Sequence, residues 1–418
     1  MTAIVGVLNK HAVAIAADSA VTMGNTHKVV NSANKIFTLS KYCPVAVMTY
    51  SSASFMGVPW DIIIKEYRKQ LKNKCFPKLE NYVNDFMEYL HNKQFFCDVK
   101  TQNNYLNWML ESFFDICCEE ICYENHIADK ATLSPALIEQ KLKDCIDLYK
   151  SAEKCPDFVV YTLKDFKNYT DIIIQDFAKK NGFANVDVLS ESFFYYLSVK
   201  IRTYSYTGLV FTGYGEEEIY PSLIPLNVSP LVVDGHLKYY MDQVNAAKIS
   251  EDGSTAVICP FAQVDVVQTI IRGIHPSFKD IIYNAIDKSI GAYTSSITDI
   301  LDKDPAISKI SMAVKGLDKK SVIDGITSQI TREMFNFYSK PLIDTVALLD
   351  KEDMANMAES FISLTSLVRR MQPGEETVGG PVDVAVISKG DGFVWINRKH
   401  YFKPVSYTHL TLPTTSRV

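Results

Sequence analysis

The sequence predicts an α+β fold in which strand-rich and helix-rich blocks follow one another. Strand patterns dominate residues 2–76, 205–260 and 375–404, where short apolar runs end at glycine and aspartate turns. Residues 77–204 and 261–374 instead carry apolar side chains at helical spacing. Blocks of this kind favour layered α+β packing over βαβ units. We therefore expect one core assembled from the three strand-rich segments, elaborated by two large helical segments.

The first element is a β-hairpin at the start of the chain. Two runs that are apolar at nearly every position flank residues 9–11, which is typical of strands covered on both faces. A three-residue loop there would set Leu8 opposite Ala12. Antiparallel counting then places Thr2 opposite Asp18. The hairpin alone predicts an acidic side chain beside the start of the chain.

Thr2 is the candidate nucleophile. Removal of Met1, which is usual before a small residue, would give Thr2 both a free α-amine and a β-hydroxyl, so base and nucleophile share one residue. An α-amine has a pKa of about 7.7–8.0 and can accept the hydroxyl proton. A Lys35 ammonium nearby would keep that amine neutral, and Asp18 would orient Lys35. Taken singly, such an aspartate or lysine is more often an ordinary surface residue.

These residues carry a resemblance to a known family. The matching stretches are residues 2–5, 16–19, 23–25 and 34–36. They resemble the opening of proteasome β-type subunits, and most of all their bacterial homologues, within the N-terminal-nucleophile (Ntn) hydrolases. The family pattern is an N-terminal threonine followed by an aspartate and then a lysine. Here the gaps are 16 residues from Thr2 to Asp18 and 17 from Asp18 to Lys35.

The resemblance implies a four-layer αββα Ntn-hydrolase sandwich with large helical insertions. It also implies that Thr2, Asp18 and Lys35 are catalytic. The family's oxyanion donor lies in a glycine-rich turn, whereas the corresponding residues 44–54 contain no glycine. Supporting or oxyanion roles would fall on four further residues: Ser19, Tyr50, Ser51 and Glu375.

The function implied by the resemblance is that of a threonine endopeptidase that cleaves peptide or protein substrates through an acyl-ester on Thr2, with no cofactor and no metal. Two alternatives remain open: a non-peptidase Ntn amidohydrolase, and a catalytically silent scaffold of the same fold. Tyr214 and Val378 stand where the family has serines, which favours the alternatives. The intact set of Thr2, Asp18 and Lys35 favours the enzyme.

Composition excludes several other classes. The chain has 418 residues and a net charge of −5, which argues against a general nucleic-acid binder. Its nine cysteines form no CxxC pair, which predicts reduced thiols in a cytoplasmic, bacterial protein rather than a metal site. No secretory signal is visible, and no apolar stretch approaches the length of a membrane span.

The resemblance also implies an assembly of several subunits. Relatives enclose their sites in rings, so we expect a homo-oligomer that uses the helix after Ser54 and parts of the insertions. The chain has no GxxxxGK[ST] motif, so an ATPase unfoldase would be a separate protein. Residues 405–418 resemble translated sequencing-adapter read-through, and we expect them to be a non-native tail.

Overall fold

A computed structural model describes residues 2–23, 28–92, 98–303, 308–372 and 378–399. It combines helices with antiparallel sheets, which agrees with the predicted α+β class at that level. The strands are β1 (Ala3–Asn9), β2 (Val13–Ala17), β3 (Val21–Met23), β4 (Lys28–Val30), β5 (Ile36–Thr38), β6 (Val45–Ser51), β7 (Ser54–Phe55), β8 (Val58–Pro59), β9 (Thr207–Gly213), β10 (Ser222–Val233), β11 (His236–Met241), β12 (Ala247–Lys248), β13 (Ala256–Ala262), β14 (Asp383–Ser388) and β15 (Gly392–Asn397).

The helices fall into four groups by position in the chain. α1 (Trp60–Leu71) follows the first strands. The first helical addition comprises α2 (Leu79–Asn92), α3 (Val99–Glu124), α4 (Pro135–Lys150), α5 (Leu163–Lys180) and α6 (Val186–Ser198). The second helical addition comprises α7 (Asp265–Arg272), α8 (Pro276–Leu301), α9 (Ser308–Lys315), α10 (Lys319–Met334) and α11 (Lys340–Val346). The last helix is α12 (Lys351–Met371).

The opening hairpin lies inside the first sheet, whose strand order is β13-β1-β2-β14-β15. Every residue of β1 and β2 is buried, as their uninterrupted apolar sequence predicted. The predicted register is wrong by one residue, because Leu8 pairs with Val13 rather than Ala12. The Asn9 side chain accepts hydrogen bonds from the amides of His11 and Ala12, which closes a tighter turn than the predicted loop.

The second sheet packs face to face with the first. Its order is β11-β10-β9-β6-β5, with β12 paired to β10. Side chains from both sheets, among them Ile15, Met48 and Val210, form one buried cluster between them. α1 and α2 cover the outer face of the second sheet, while α11 and α12 cover that of the first. The layers therefore run helix, sheet, sheet, helix.

The two helical additions pack differently. α3 to α6 share an apolar cluster that also takes in Leu231 and Val233 of β10. α8, by contrast, is 26 residues long and buries only Thr298. No helix among the described residues combines the length and the apolar composition needed to cross a bilayer.

One disulfide departs from the expectation of reduced thiols. Cys43, just before β6, is bonded to Cys75 beyond the end of α1, and their Cα atoms are 6.0 Å apart. That separation is ordinary for a disulfide. The expectation is therefore wrong for this pair, whereas the other described cysteines are free.

Candidate active site

The Asp18 carboxylate is the most completely bonded group of the candidate site. It is buried just beyond the end of β2. Its Oδ1 accepts from the Ala3 amide at 2.9 Å and from Lys35 Nζ at 2.6 Å. Its Oδ2 accepts from the amides of Ala20 at 3.1 Å and Gly379 at 3.3 Å. Asp18 thus lies opposite Ala3 rather than Thr2, and it links the start of β1 to Lys35.

Lys35 lies just before β5 and is buried. Its Nζ donates to Asp18 Oδ1 and to the Ala20 carbonyl oxygen, both at 2.6 Å. Burial lowers the pKa of Lys35 below its ordinary value; Asp18 opposes that shift, and Lys399 adds to it. Burial thus makes the Lys35 side chain easier to deprotonate than that of a surface lysine, while its two hydrogen bonds fix the position of its Nζ.

Thr2 is buried and directly precedes Ala3, whose amide is bonded to Asp18. Its carbonyl oxygen accepts from the Gln263 amide at 3.2 Å, which fastens the start of β1 to the end of β13. Thr2 and Lys35 both line a cleft of about 270 Å³. The structure therefore brings the three predicted catalytic residues to one place, with Asp18 bonded to Lys35 and to the residue that follows Thr2.

The cleft wall opposite Thr2 comes from the end of β6 and the start of α1. Thr49, Ser51, Trp60 and Asp61 all line it. The buried Trp60 is held by a hydrogen bond from its Nε1 to Thr207 Oγ1 at 2.8 Å. This hydrogen bond anchors Trp60 to β9 of the second sheet.

Ser51 ends β6 and borders the cleft. The amide of Thr49 donates to the Lys35 carbonyl, and that of Ser52 donates to Tyr206 on the other side of the strand. Strand amides alternate in direction, so the Ser51 N–H falls on the Lys35 side. Ser51 has φ of +69°, a left-handed conformation that costs a residue other than glycine about 1 kcal/mol. The chain adopts this backbone without the glycine that the family has there.

Tyr50 has a packing role. Its ring lies between the sheets, with ring centroids 5.7 Å from Phe261 and 6.1 Å from Tyr206. A Cβ atom at Gly208 would overlap that ring, so Gly208 leaves the room that Tyr50 fills. Burial raises the pKa of the Tyr50 hydroxyl, which keeps it neutral. Its side chain belongs to the core, although the residue also borders the cleft.

Ser19 is hydrogen-bonded to a second buried ion pair, which the sequence analysis did not predict. Ser19 Oγ donates to the Pro381 carbonyl at 2.7 Å and accepts from Lys399 Nζ at 3.1 Å. Lys399 is also paired with Asp383, and both are buried. Asp383 begins an apolar strand, as Asp18 ends one, and that signal could have identified it. Glu375 lies outside the described residues.

The two residues that stand where the family has serines, Tyr214 and Val378, lie in different surroundings. Tyr214 is buried, and its hydroxyl donates to the His11 carbonyl at 3.4 Å, at the far end of the hairpin from Thr2. The turn around Tyr214 therefore lies away from Thr2. Val378 is buried against the first sheet, and the next residue, Gly379, supplies an amide to Asp18. The Tyr214 replacement thus says nothing against activity.

Among the described residues, no group of three or more His, Cys, Asp or Glu side chains could hold a metal ion. The cleft offers amines, hydroxyls and amides. Such groups can activate a nucleophile and stabilise an oxyanion. Comparison with known proteins gives no matching family model and no significantly similar curated protein.

Proposed function

We propose that the protein is an Ntn hydrolase of the proteasome β-subunit type, a threonine endopeptidase that acts through Thr2. The observation that carries the proposal is the buried Asp18–Lys35 pair beside Thr2 in an accessible cleft. A buried lysine is costly unless it is paired, and here the pair adjoins the one residue that can offer both amine and hydroxyl. The helix–sheet–sheet–helix layering supports the αββα assignment.

In the proposed reaction the Thr2 hydroxyl attacks the scissile carbonyl carbon and its proton passes to the Thr2 α-amine. The Lys35 ammonium, held by Asp18, keeps that amine neutral before attack. The oxyanion forms opposite the Ser51 N–H. Collapse leaves an acyl-ester on Thr2 and releases the amine product after it takes up the proton. Water, deprotonated by the same amine, then hydrolyses the ester.

The same proposal implies a class of substrate, an assembly and a cellular location for the enzyme. Substrates are peptides or unfolded proteins, because a cleft of about 270 Å³ admits side chains rather than folded domains. A homo-oligomer would shield the nucleophile, and a separate ATPase would supply unfolded chains. A cytoplasmic location belongs with this assignment.

Mass spectrometry tests the proposal. We expect intact mass to show loss of Met1, and an epoxyketone or boronate directed at N-terminal threonine to add to the protein. Thr2→Ala should abolish the adduct. Thr132→Ala, which removes an exposed threonine in a distant turn, should leave it unchanged. Retained Met1 would refute the mechanism, because the α-amine would then be an amide nitrogen.

A non-peptidase amidohydrolase is the second candidate. The observation in its favour is the size of the cleft, which falls below the range of about 300–1,000 Å³ usual for ligand pockets. Small acyl amides and fluorogenic peptides should be compared on the same preparation. Hydrolysis of small amides alone would identify the amidohydrolase. Failure of both classes, with Met1 removed, would identify a silent scaffold.

A further inference from the structure

A second cavity lies next to the catalytic cleft, where the first helical addition meets the core. Its volume is about 400 Å³. Residues from α3 form one side, and the chain that follows β6, the chain before β9 and the middle of β10 form the other. The residues used below are Ser52, Ser54, Tyr105, Trp108, Ser205 and Pro230.

Ser52 connects the two cavities. It lines both of them, and it directly follows Ser51, the proposed oxyanion donor. An extended peptide advances about 3.3 Å per residue. A substrate with its scissile carbonyl at Ser51 therefore reaches the second cavity within a few residues.

Trp108 gives this cavity its chemical character. Its side chain is 37% exposed, whereas the next two residues of α3, Met109 and Leu110, are buried in the core of the addition. Tyr105 packs edge-on against Trp108 at a centroid distance of 6.2 Å, and it also contacts both apolar clusters beneath it. The Trp108 ring is thus an accessible aromatic surface on a rigid support.

Charge separates the two cavities. The catalytic cleft includes Lys35 and Asp61, whereas the residues that line the second cavity are all uncharged. A charged side chain would find no ionic partner among these lining residues. An apolar ring would instead stack on Trp108 and Pro230.

We propose that this cavity is a substrate subsite, supplied by the first helical addition, for an apolar and preferably aromatic side chain near the scissile bond. The inference rests on the proposed function for the position of that bond. It assigns the insertion a direct part in substrate selection.

Binding to a Thr2→Ala variant tests the subsite without turnover. The probes are sets of otherwise identical peptides that carry Phe, Ala or Glu at successive positions, titrated by calorimetry. At one position we expect Phe to bind about fivefold more tightly than Ala, with Glu weaker than either. Trp108→Ala should reduce the preference for Phe to less than about twofold, and Trp108→Phe should retain most of it.

Tyr123→Ala is the matched control, since Tyr123 lies on the same helix and is 85% exposed. It should leave the preference unchanged. A Phe preference that survives Trp108→Ala would overturn the subsite, as would equal binding of the three peptides or no binding at all. If the preference depends on Trp108 while the wild type forms no covalent adduct, the subsite stands and the proposed function fails. If the wild type forms the adduct without any preference among the peptides, the proposed function stands and the subsite fails.

Discussion

Each helical addition comprises five α-helices, but the two additions differ in how they bury their apolar side chains. In the first, α3 to α6 enclose a cluster that contains Phe113, Phe166 and Phe193 and continues onto β10. In the second, α8 and α10 together bury only Thr298, and Phe278 and Ile281 are exposed. An apolar stripe predicts that a helix has a face to cover; it does not say what covers it.

The difference indicates separate tasks. The first addition buries its apolar cluster within a single chain, and its helix α3 borders the proposed substrate path. The second presents an exposed apolar surface of the kind that marks protein–protein contact. We therefore expect the predicted homo-oligomer to use α8, with a second copy of this chain as the partner.

The largest expected effect compares equivalent substitutions in the two regions. Phe193→Ala in the first addition, where the ring is fully buried, should lower the free energy of unfolding by about 3–5 kcal/mol. Phe278→Ala on α8, where the ring is 55% exposed, should change it by less than about 0.5 kcal/mol in dilute protein. Urea titration measures both. Equal losses would show that α8 is packed within a single chain.

Assembly should respond in the opposite sense. Phe278→Glu together with Ile281→Glu should weaken self-association at least about tenfold, equivalent to about 1.4 kcal/mol, because each would bury a carboxylate at the interface. Light scattering over a dilution series measures this. Ile172→Glu on α5, 76% exposed, is the control and should have no effect. The comparison would fail if the control dissociated the oligomer and the α8 variant did not.

Helix capping gives a smaller contrast. Thr162 and Asp165 form a capping box at the start of α5, and Thr162→Ala should lower global stability by about 1 kcal/mol. Asp318 caps α10, and Asp318→Ala should mainly speed local hydrogen exchange in that helix, because α10 buries no side chain. Unchanged exchange in α10, with a loss of global stability, would contradict this division.

The smallest effect is expected at Ser51, which lies in neither addition. Ser51→Gly should raise the free energy of unfolding by about 0.5–1 kcal/mol, since glycine adopts positive φ without steric cost. Thermal unfolding measures the change. Ser52→Gly, one residue on, is the control and should not stabilise. A loss of stability at position 51 would show that the serine side chain compensates for its backbone.

The sequence predicted contacts between residues that are close in the chain, and it did not predict contacts between residues that are far apart in the chain. Thr2 and Asp18 could be grouped because one hairpin brings them together, whereas Lys35 was added from the spacing of the family pattern. The error of one register step came from the Asn9 turn. Asp383 and Lys399 were missed because their link to Ser19 spans hundreds of residues. Their placement depends on strand pairing between the two ends of the chain.

Longer-range geometry also explains the other differences. The turn around Tyr214 matched a family motif in sequence, yet pairing of β9 with β6 carries it to the end of the sheet away from Thr2. The cavity at Trp108 depends on how α3 crosses β10, and no spacing along the chain encodes that crossing.

The bond between Cys43 and Cys75 makes a covalent ring of the chain between them. That ring contains β6 and α1, and therefore Ser51 and Trp60, whereas Thr2 and Lys35 lie outside it. Its two halves stay connected even when a peptide bond between them is cut. The part of the cleft lined by Ser51 and Trp60 is thus attached to the rest of the protein by two covalent routes while the bond persists.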